Sequence, residues 1–391
     1  MYATENGVYR NGRALADDAV TLANCFDKAG YDTAYIGKWH LAGAKPNGER
    51  RLTVPRERQG GYDYWLGAEL TEFVSDAYNT VLFDEDENPV KLPGYRVDAT
   101  TDAAIRYVQD HQNNPFYLFL SFLEPHFQNH RDDYPAPDGY EERYRGGWIP
   151  PDLAALGGST HQHLAGYYGM VKRLDEALGR MLDALKSLDL LENTIVLFTA
   201  DHGCHFKTRN GEYKRSCHES SVRIPAAACG PGFEGGGRVD GLVSLMDFMP
   251  TLLDAAGVPV PEGISARSVM PSLRGRDEVL IQISESQVGR AIRTNRWKYS
   301  VSAPEKDGYA VMDSDTYVEE FLYDVQSDPY ELTNLIGFES HREVADRLKE
   351  RLIALMTEAG EAVPEIVPAE TRTDGMRRQV FPDQPYPGRD Y

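Results

Sequence analysis

Cysteine is scarce in this chain: only Cys25, Cys204, Cys217 and Cys229 occur in 391 residues. So few, so unevenly spaced, they exclude a disulfide-stapled scaffold and a paired CxxC zinc ribbon. Long apolar runs are also missing. The longest, "FYLFLSFL" at 116–123, falls well short of the roughly twenty residues that a membrane-spanning helix needs. Basic charge is in deficit, with 41 Lys and Arg against 61 Asp and Glu and a net charge of −20. That balance argues against nucleic acid or an anionic membrane surface as partner. An anionic ligand would have to meet a local cluster of positive charge. No internal repeat or low-complexity tract stands out, and the apolar fraction of 41% is that of a chain able to bury a sizeable core.

What is present is a repeated grammar of helix, strand and polar residue. Apolar positions Ala19, Leu22, Ala23 and Phe26 follow helical spacing over 17–28, Gly30 is placed to end that helix, and "TAYIG" reads as a strand followed by Lys38 and His40. A helix over 99–111, the strand "FYLFLSF" and His126 repeat the order. A long helix over about 164–188, the strand "TIVLFT" and then Asp201-His202 repeat it again. Alternation of this kind predicts an α/β fold, a mostly parallel central sheet flanked by helices, with the polar groups gathered beyond the carboxyl ends of the strands. "VRIPAAACG" and "GLVSL" read as further strands. "DFMPTLLDAAG" reads as a short helix with Pro250 in its first turn and Gly257 at its end. After a Gly/Pro-rich bridge, "EVLIQISES", "RAIRTNRWKYSV" and "EFLYDV" predict short antiparallel strands, and 343–359 an amphipathic helix using Val344, Leu348, Leu352 and Leu355. The expected organisation is a catalytic α/β domain over 1–275, a small C-terminal α+β subdomain over 276–363 and a tail over 364–391.

Lys38 and His40 stand two apart across Trp39, so an extended backbone points both to one side. In "TADHG", a strand-terminal Asp201 and His202 are two adjacent ligand-capable side chains, and Gly203 gives room for close approach. "KTRNGEYKRSCHESSVRIP" concentrates Lys207, Arg209, Lys214 and Arg215 in an acidic chain, as focusing an anion requires. Each feature alone is also ordinary surface chemistry: a lysine in a turn, an aspartate capping a loop, a histidine bonding its own loop. Cys204-His205 and Cys217-His218 do not match the two-to-four-residue gaps of a Cys2His2 zinc site, so structural cysteines are expected there.

Taken in order, "GYDTAYIGKWHLAG", "FLEPH", "NTIVLFTADHG", Lys214 within "EYKRSCHESSVRIP", and "SLMDFMPTLLDAAGVPVP" resemble the motifs of the type I sulfatases of the alkaline-phosphatase-like superfamily. The C-terminal "AIRTNRWKYS" and "LYDVQSDPYELTNL" resemble that family too, so the likeness runs over roughly 5–360. It implies a hydrolase of sulfate esters, acting on a small-molecule or carbohydrate ester. It implies that Asp201 and His202 bind a divalent metal, calcium first, with magnesium or manganese as alternatives. It implies that Lys38 and Lys214 bind sulfate oxygens, that His40 supports the nucleophile and that His126 lies near the leaving group. Fixed cations suit the charge that develops on nonbridging oxygens, and an imidazolium suits the departing alkoxide.

The family pattern also contains a formylglycine, made from Cys or Ser in a Cys/Ser-x-Pro/Ala-x-Arg motif, and a pair of Asp ligands on the first strand. Both precede the region matching "ENGVYRNG", and Cys229 in "CGPGF" lacks the arginine. The expectation is therefore an N-terminally truncated sulfatase, with Met1 an internal residue and any leader peptide upstream. Two rivals share the residues seen here: a phosphatase or phosphonate monoester hydrolase of the same superfamily, and a catalytically inactive binder of sulfated glycans. Substrate selection is expected from the loop "QNHRDDYPAPDGYEERYRGG".

Overall fold

The computed structural model describes residues 1–128, 130–270 and 274–372. The main sheet contains β1 (Asp32–Trp39), β2 (Tyr64–Glu69), β3 (Thr80–Phe83), β4 (Pro89–Leu92) and β5 (Phe116–Ser121), in the order β4-β3-β2-β1-β5. β1 runs parallel to both β2 and β5, while β3 and β4 are antiparallel additions at the far edge. β1 is central because "DTAYIGKW" is apolar on both faces, which suits a parallel strand covered by helices on each side. Ala34 and Ile36 pack with Ala99, Ala103 and Ala104 of the helix Arg96–Asp110 on one face, and Tyr35 and Trp39 pack with Tyr62 and Trp65 on the other. β2, β3 and β4 were not expected. Their sequence "YWLGAE…TVLF…PVKL" is cut by turn residues into pieces too short to show a period.

Other boundaries moved for identifiable reasons. The helix expected over 17–28 begins at Leu22, because the Thr21 hydroxyl caps the Asn24 N–H at 3.1 Å while the Asn24 side chain returns to the Thr21 N–H at 3.0 Å. Lys38 lies inside β1 and not after it. "GLVSL" forms no strand. Leu242 makes an isolated bridge to Arg276, where the backbones of Gly241 and Gly275 cross so closely that a Cβ on Gly275 would lie 2.3 Å from the Gly241 carbonyl carbon.

The long helix spans Thr160–Ser187, and the strand after it is β6 (Val196–Thr199). β6 pairs only with β7 (Ala226–Cys229), antiparallel, in a sheet of its own. β5 and β6 line the same cavity, of about 1790 Å³, with Leu174, Leu178 and Met181 of the long helix and Phe26, Met249 and Leu252 of two short ones. "FYLFLS" and "VLFT" have the composition of doubly covered strands, yet every residue of both is at least partly exposed, Phe119 by 43%. Each strand thus presents an unpaired edge to that cavity.

The small sheet contains β8 (Glu278–Ile283), β9 (Gly289–Thr294), β10 (Trp297–Ser302), β11 (Thr316–Asp324) and β12 (Glu365–Val367), in the order β12-β11-β10-β9-β8. Only β12 pairs parallel, and it extends the small sheet into the segment expected as a tail. The remainder of that tail from 373 onward, and 271–273 of the expected bridge, lie outside the described residues. The helix Arg342–Glu358 lays Ala345, Leu348, Leu352 and Met356 against Ile292, Tyr299 and Val301, with Val344 and Leu355 at the margin of that core. No described helix is long and apolar enough to cross a membrane.

Candidate active site

The chain ends of β1, β5 and β6 bring the expected residues to one place. Lys38, His40, His126, Asp201 and His202 all line the cavity between β5 and β6. Lys214 borders a second cavity that also contains His40, Asp201 and His202.

Gly37 is what lets β1 deliver Lys38. At φ 117° its missing side chain admits the Ser121 carbonyl of β5, which would otherwise lie 1.9 Å from a Cβ. The Lys38 carbonyl then accepts the Ser121 hydroxyl at 2.8 Å and the Tyr35 hydroxyl. The Lys38 ammonium stands 3.6 Å from Glu72, whose buried Oε2 has no hydrogen-bond donor. Burial first, and then the Lys38 charge, lower the His40 pKa to about 4, so its imidazole is neutral near pH 7. The loop after His40 is held by Glu69, which accepts the Ala42 N–H at 3.2 Å and whose pKa burial raises to about 7.

His126 follows a cis Glu124–Pro125 bond in a turn fixed by the buried Arg96–Glu124 pair at 2.8 Å. Its Nδ1 faces the Phe127 carbonyl at 2.6 Å and so must carry the proton, leaving Nε2 to accept the Tyr213 hydroxyl at 2.7 Å. Burial, reinforced by the charges of Lys38 and Lys214, pushes its pKa down to about 2. The imidazolium expected of a leaving-group acid is thus not the resting form in this arrangement. A proton for a departing oxygen has to reach Nε2 once the Tyr213 hydroxyl moves aside.

Asp201 and His202 converge because Gly203 turns the chain. A Cβ there would lie 2.2 Å from the Ser220 carbonyl oxygen. His202 Nδ1 donates to the Gly203 carbonyl at 2.8 Å, so its Nε2 lone pair faces Asp201 Oδ2 at 3.3 Å and receives the Lys214 ammonium at 2.8 Å. Burial lowers the Lys214 pKa to about 8, with Asp201 opposing the shift and Lys38 adding to it. One carboxylate and one imidazole nitrogen are donors that a divalent cation accepts. A hard cation such as calcium takes six to eight oxygens, and among the described residues no group of three or more His, Cys, Asp or Glu could hold a metal. These residues alone therefore do not make a calcium site.

Not every expected cation faces the cleft. Arg209 turns away and donates to the Tyr330 and Glu331 carbonyls at 2.7 and 2.9 Å, whereas Arg215 borders the second cavity beside Lys214 while paired with Glu212 and, at 2.8 Å, with Glu285. The Cys-His pairs are structural as expected: Cys204 meets the Tyr134 hydroxyl, Cys217 is buried with Ile283 and Ala291, and His218 meets the Tyr323 hydroxyl. In the loop after His126, Gln128 is fully buried and donates to the Glu72 and Ser75 carbonyls, so it supports the site from behind. Tyr213, Glu69 and Glu72 were missed by sequence reasoning. Tyr213 adjoins Lys214 and was open to inspection, whereas the two glutamates are placed by β2, itself unexpected.

The Sulfatase family profile matches residues 1–258, and a profile for the N-sulphoglucosamine sulphohydrolase C-terminal region matches 211–358. The chain is 27% identical over 383 residues to the ulvan-active sulfatase of Formosa agariphila, covering 92% of this chain and 70% of that one. It is 36% identical over 184 residues to human arylsulfatase K, an alignment covering 43% of this chain and 32% of the relative. Its structure resembles the crystal structure of the putative sulfatase yidJ from Bacteroides fragilis, with a TM-score of 0.79 at 22% identity over 93% of this chain and 84% of that one. It also resembles a protein solved with its substrate D-glucosamine-2-N,6-O-disulfate, with a TM-score of 0.69 at 22% identity, covering 92% and 86% of the two chains. With the profile spanning most of the chain and the same fold in these neighbours, the chain belongs to the type I sulfatase family and has the alkaline-phosphatase-like fold.

Proposed function

We propose that this protein hydrolyses sulfate esters of carbohydrates, and that this chain supplies the anion-binding and leaving-group side of the site. The observation that carries the reading is the convergence of Lys38, His40, His126, Asp201 and His202 on one cavity, with the Lys214 ammonium bonded to His202 beside it, in an otherwise acidic chain. Family membership and the sugar sulfate bound to a structural neighbour support the substrate class.

In this reading the Lys38 and Lys214 ammonium groups hold the nonbridging oxygens of the ester, where charge grows as the S–O bond breaks. His126 Nε2 faces the bridging oxygen, and the Tyr213 hydroxyl occupies that nitrogen until substrate displaces it. His40, neutral beside Lys38, accepts a hydrogen bond on the nucleophile side. Asp201 and His202 are two ligands of a divalent cation, calcium by preference, and a bound cation would add Lewis-acid stabilisation of the same oxygens. A formylglycine nucleophile and further oxygen ligands, as in the family pattern, would complete such a site. The ester binds from solvent as a small molecule or sugar residue.

A leaving-group series tests the assignment. His126→Ala is expected to depress turnover of a sugar 6-O-sulfate far more than that of a nitrophenyl sulfate, since an alkoxide needs the proton and a nitrophenolate does not. Equal losses on both esters would remove His126 from the leaving group.

A further inference from the structure

The segment that carries Lys214 has almost no regular structure of its own. Between Thr199 and the short helix Glu219–Val222 the chain runs through turns and bends, with left-handed backbone at Phe206, Lys207 and Arg215. Something else must hold it. The fixed points are in the small subdomain. Lys298 of β10 is fully buried, with its ammonium 2.7 Å from Glu219 and 2.5 Å from Glu331. Arg293 of β9 adds a second cation on Glu219 at 3.0 Å, and the Glu331 carboxylate accepts the Glu219 N–H at 2.6 Å. Two buried carboxylates are therefore matched by two cations, the condition under which such a cluster is tolerated away from water. At the other end of the segment Arg209 binds the Tyr330 and Glu331 carbonyls.

We infer that the small subdomain positions Lys214: Lys298, through Glu219 and Glu331, and Arg209, through the 330–331 carbonyls, clamp both ends of the loop that presents the Lys214 ammonium to the anion. Neither residue lines the anion cleft, so both act through Lys214 and are positioning residues. This rests on the reading of Lys214 as an anion ligand, and it gives "RTNRWKYS" a task that the chemistry itself does not require.

The test uses inorganic sulfate as probe, with hydrogen exchange as a second readout. Lys298→Met and Arg209→Ala are each expected to weaken sulfate binding by about tenfold or more, as a misplaced binding group does. Combined with Lys214→Ala, neither should cost anything beyond Lys214→Ala alone, because residues acting through one group are not additive. Amide exchange over 205–218 should quicken while that of the helix Thr160–Ser187 stays unchanged. Losses that add to that of Lys214→Ala, or unchanged exchange over 205–218, would overturn the clamp. Lys298→Met leaves two carboxylates buried and can unfold the domain; Arg209→Ala, which loses only hydrogen bonds to carbonyls, then decides. If wild-type protein and Lys214→Ala bind sulfate alike, the functional reading fails, and the exchange data still judge the clamp.

Discussion

Replacing Lys214 by alanine is expected to cut sulfate-ester turnover by about a hundredfold or more, and Lys38→Ala by a similar factor, as loss of a preorganised cation at a developing oxyanion does. The two lysines are not equivalent in the structure. Lys38 is balanced by Glu72 at 3.6 Å, whereas Lys214 donates to the neutral His202 ring at 2.8 Å and has its pKa lowered by burial. An anion arriving between them relieves Lys214 most, so its substitution should raise KM as well as lower kcat. Arg209→Ala should instead act mainly on affinity, through the loop. Steady-state kinetics on one aryl sulfate, with circular dichroism to establish the fold, decide this. Wild-type rates in both lysine variants would remove the anion clamp from the account.

The second large effect concerns the gap between β5 and β6. Both strands are apolar and both present unpaired edges to a cavity lined by side chains from several helices. A strand placed there would pair two rows of backbone groups and cover Phe119 and its neighbours. An apolar β-strand peptide that fills this gap is expected to raise the melting temperature of residues 1–391, with amide exchange in β5 and β6 slowed most. A soluble, cooperative fold of residues 1–391 in which β5 and β6 already exchange slowly would contradict this.

The positions of Lys38, His40, His126, Asp201 and His202 were legible because each sits at or near the end of an apolar run, whereas Lys214 lies in an irregular loop and was marked only by the basic cluster around it. β1, β5 and β6 are runs of apolar residues whose ends are marked by Lys38-Trp39-His40, Glu124-Pro125-His126 and Asp201-His202-Gly203. The supporting shell was not legible. Glu69 and Glu72 reach the site from β2 and the turn after it, short pieces with no period of their own, and nothing local says that they face Lys38. Arg209 looked like part of an anion funnel because charge counts carry no direction. Only tertiary packing turned it to the small subdomain. The protonation of His126 was not legible for a similar reason. Its tautomer is set by the Phe127 carbonyl and its charge by burial beside two lysines, and neither shows in a sequence.

The central claim, that this cleft is built for sulfate esters, is tested most directly by one paired assay. kcat/KM for an aryl sulfate and for the matching aryl phosphate are to be measured on the protein under the same conditions. The account predicts clear preference for the sulfate, lost in Lys214→Ala. Equal or greater efficiency on the phosphate, or affinity for sulfated sugars with no turnover of either ester, would contradict it.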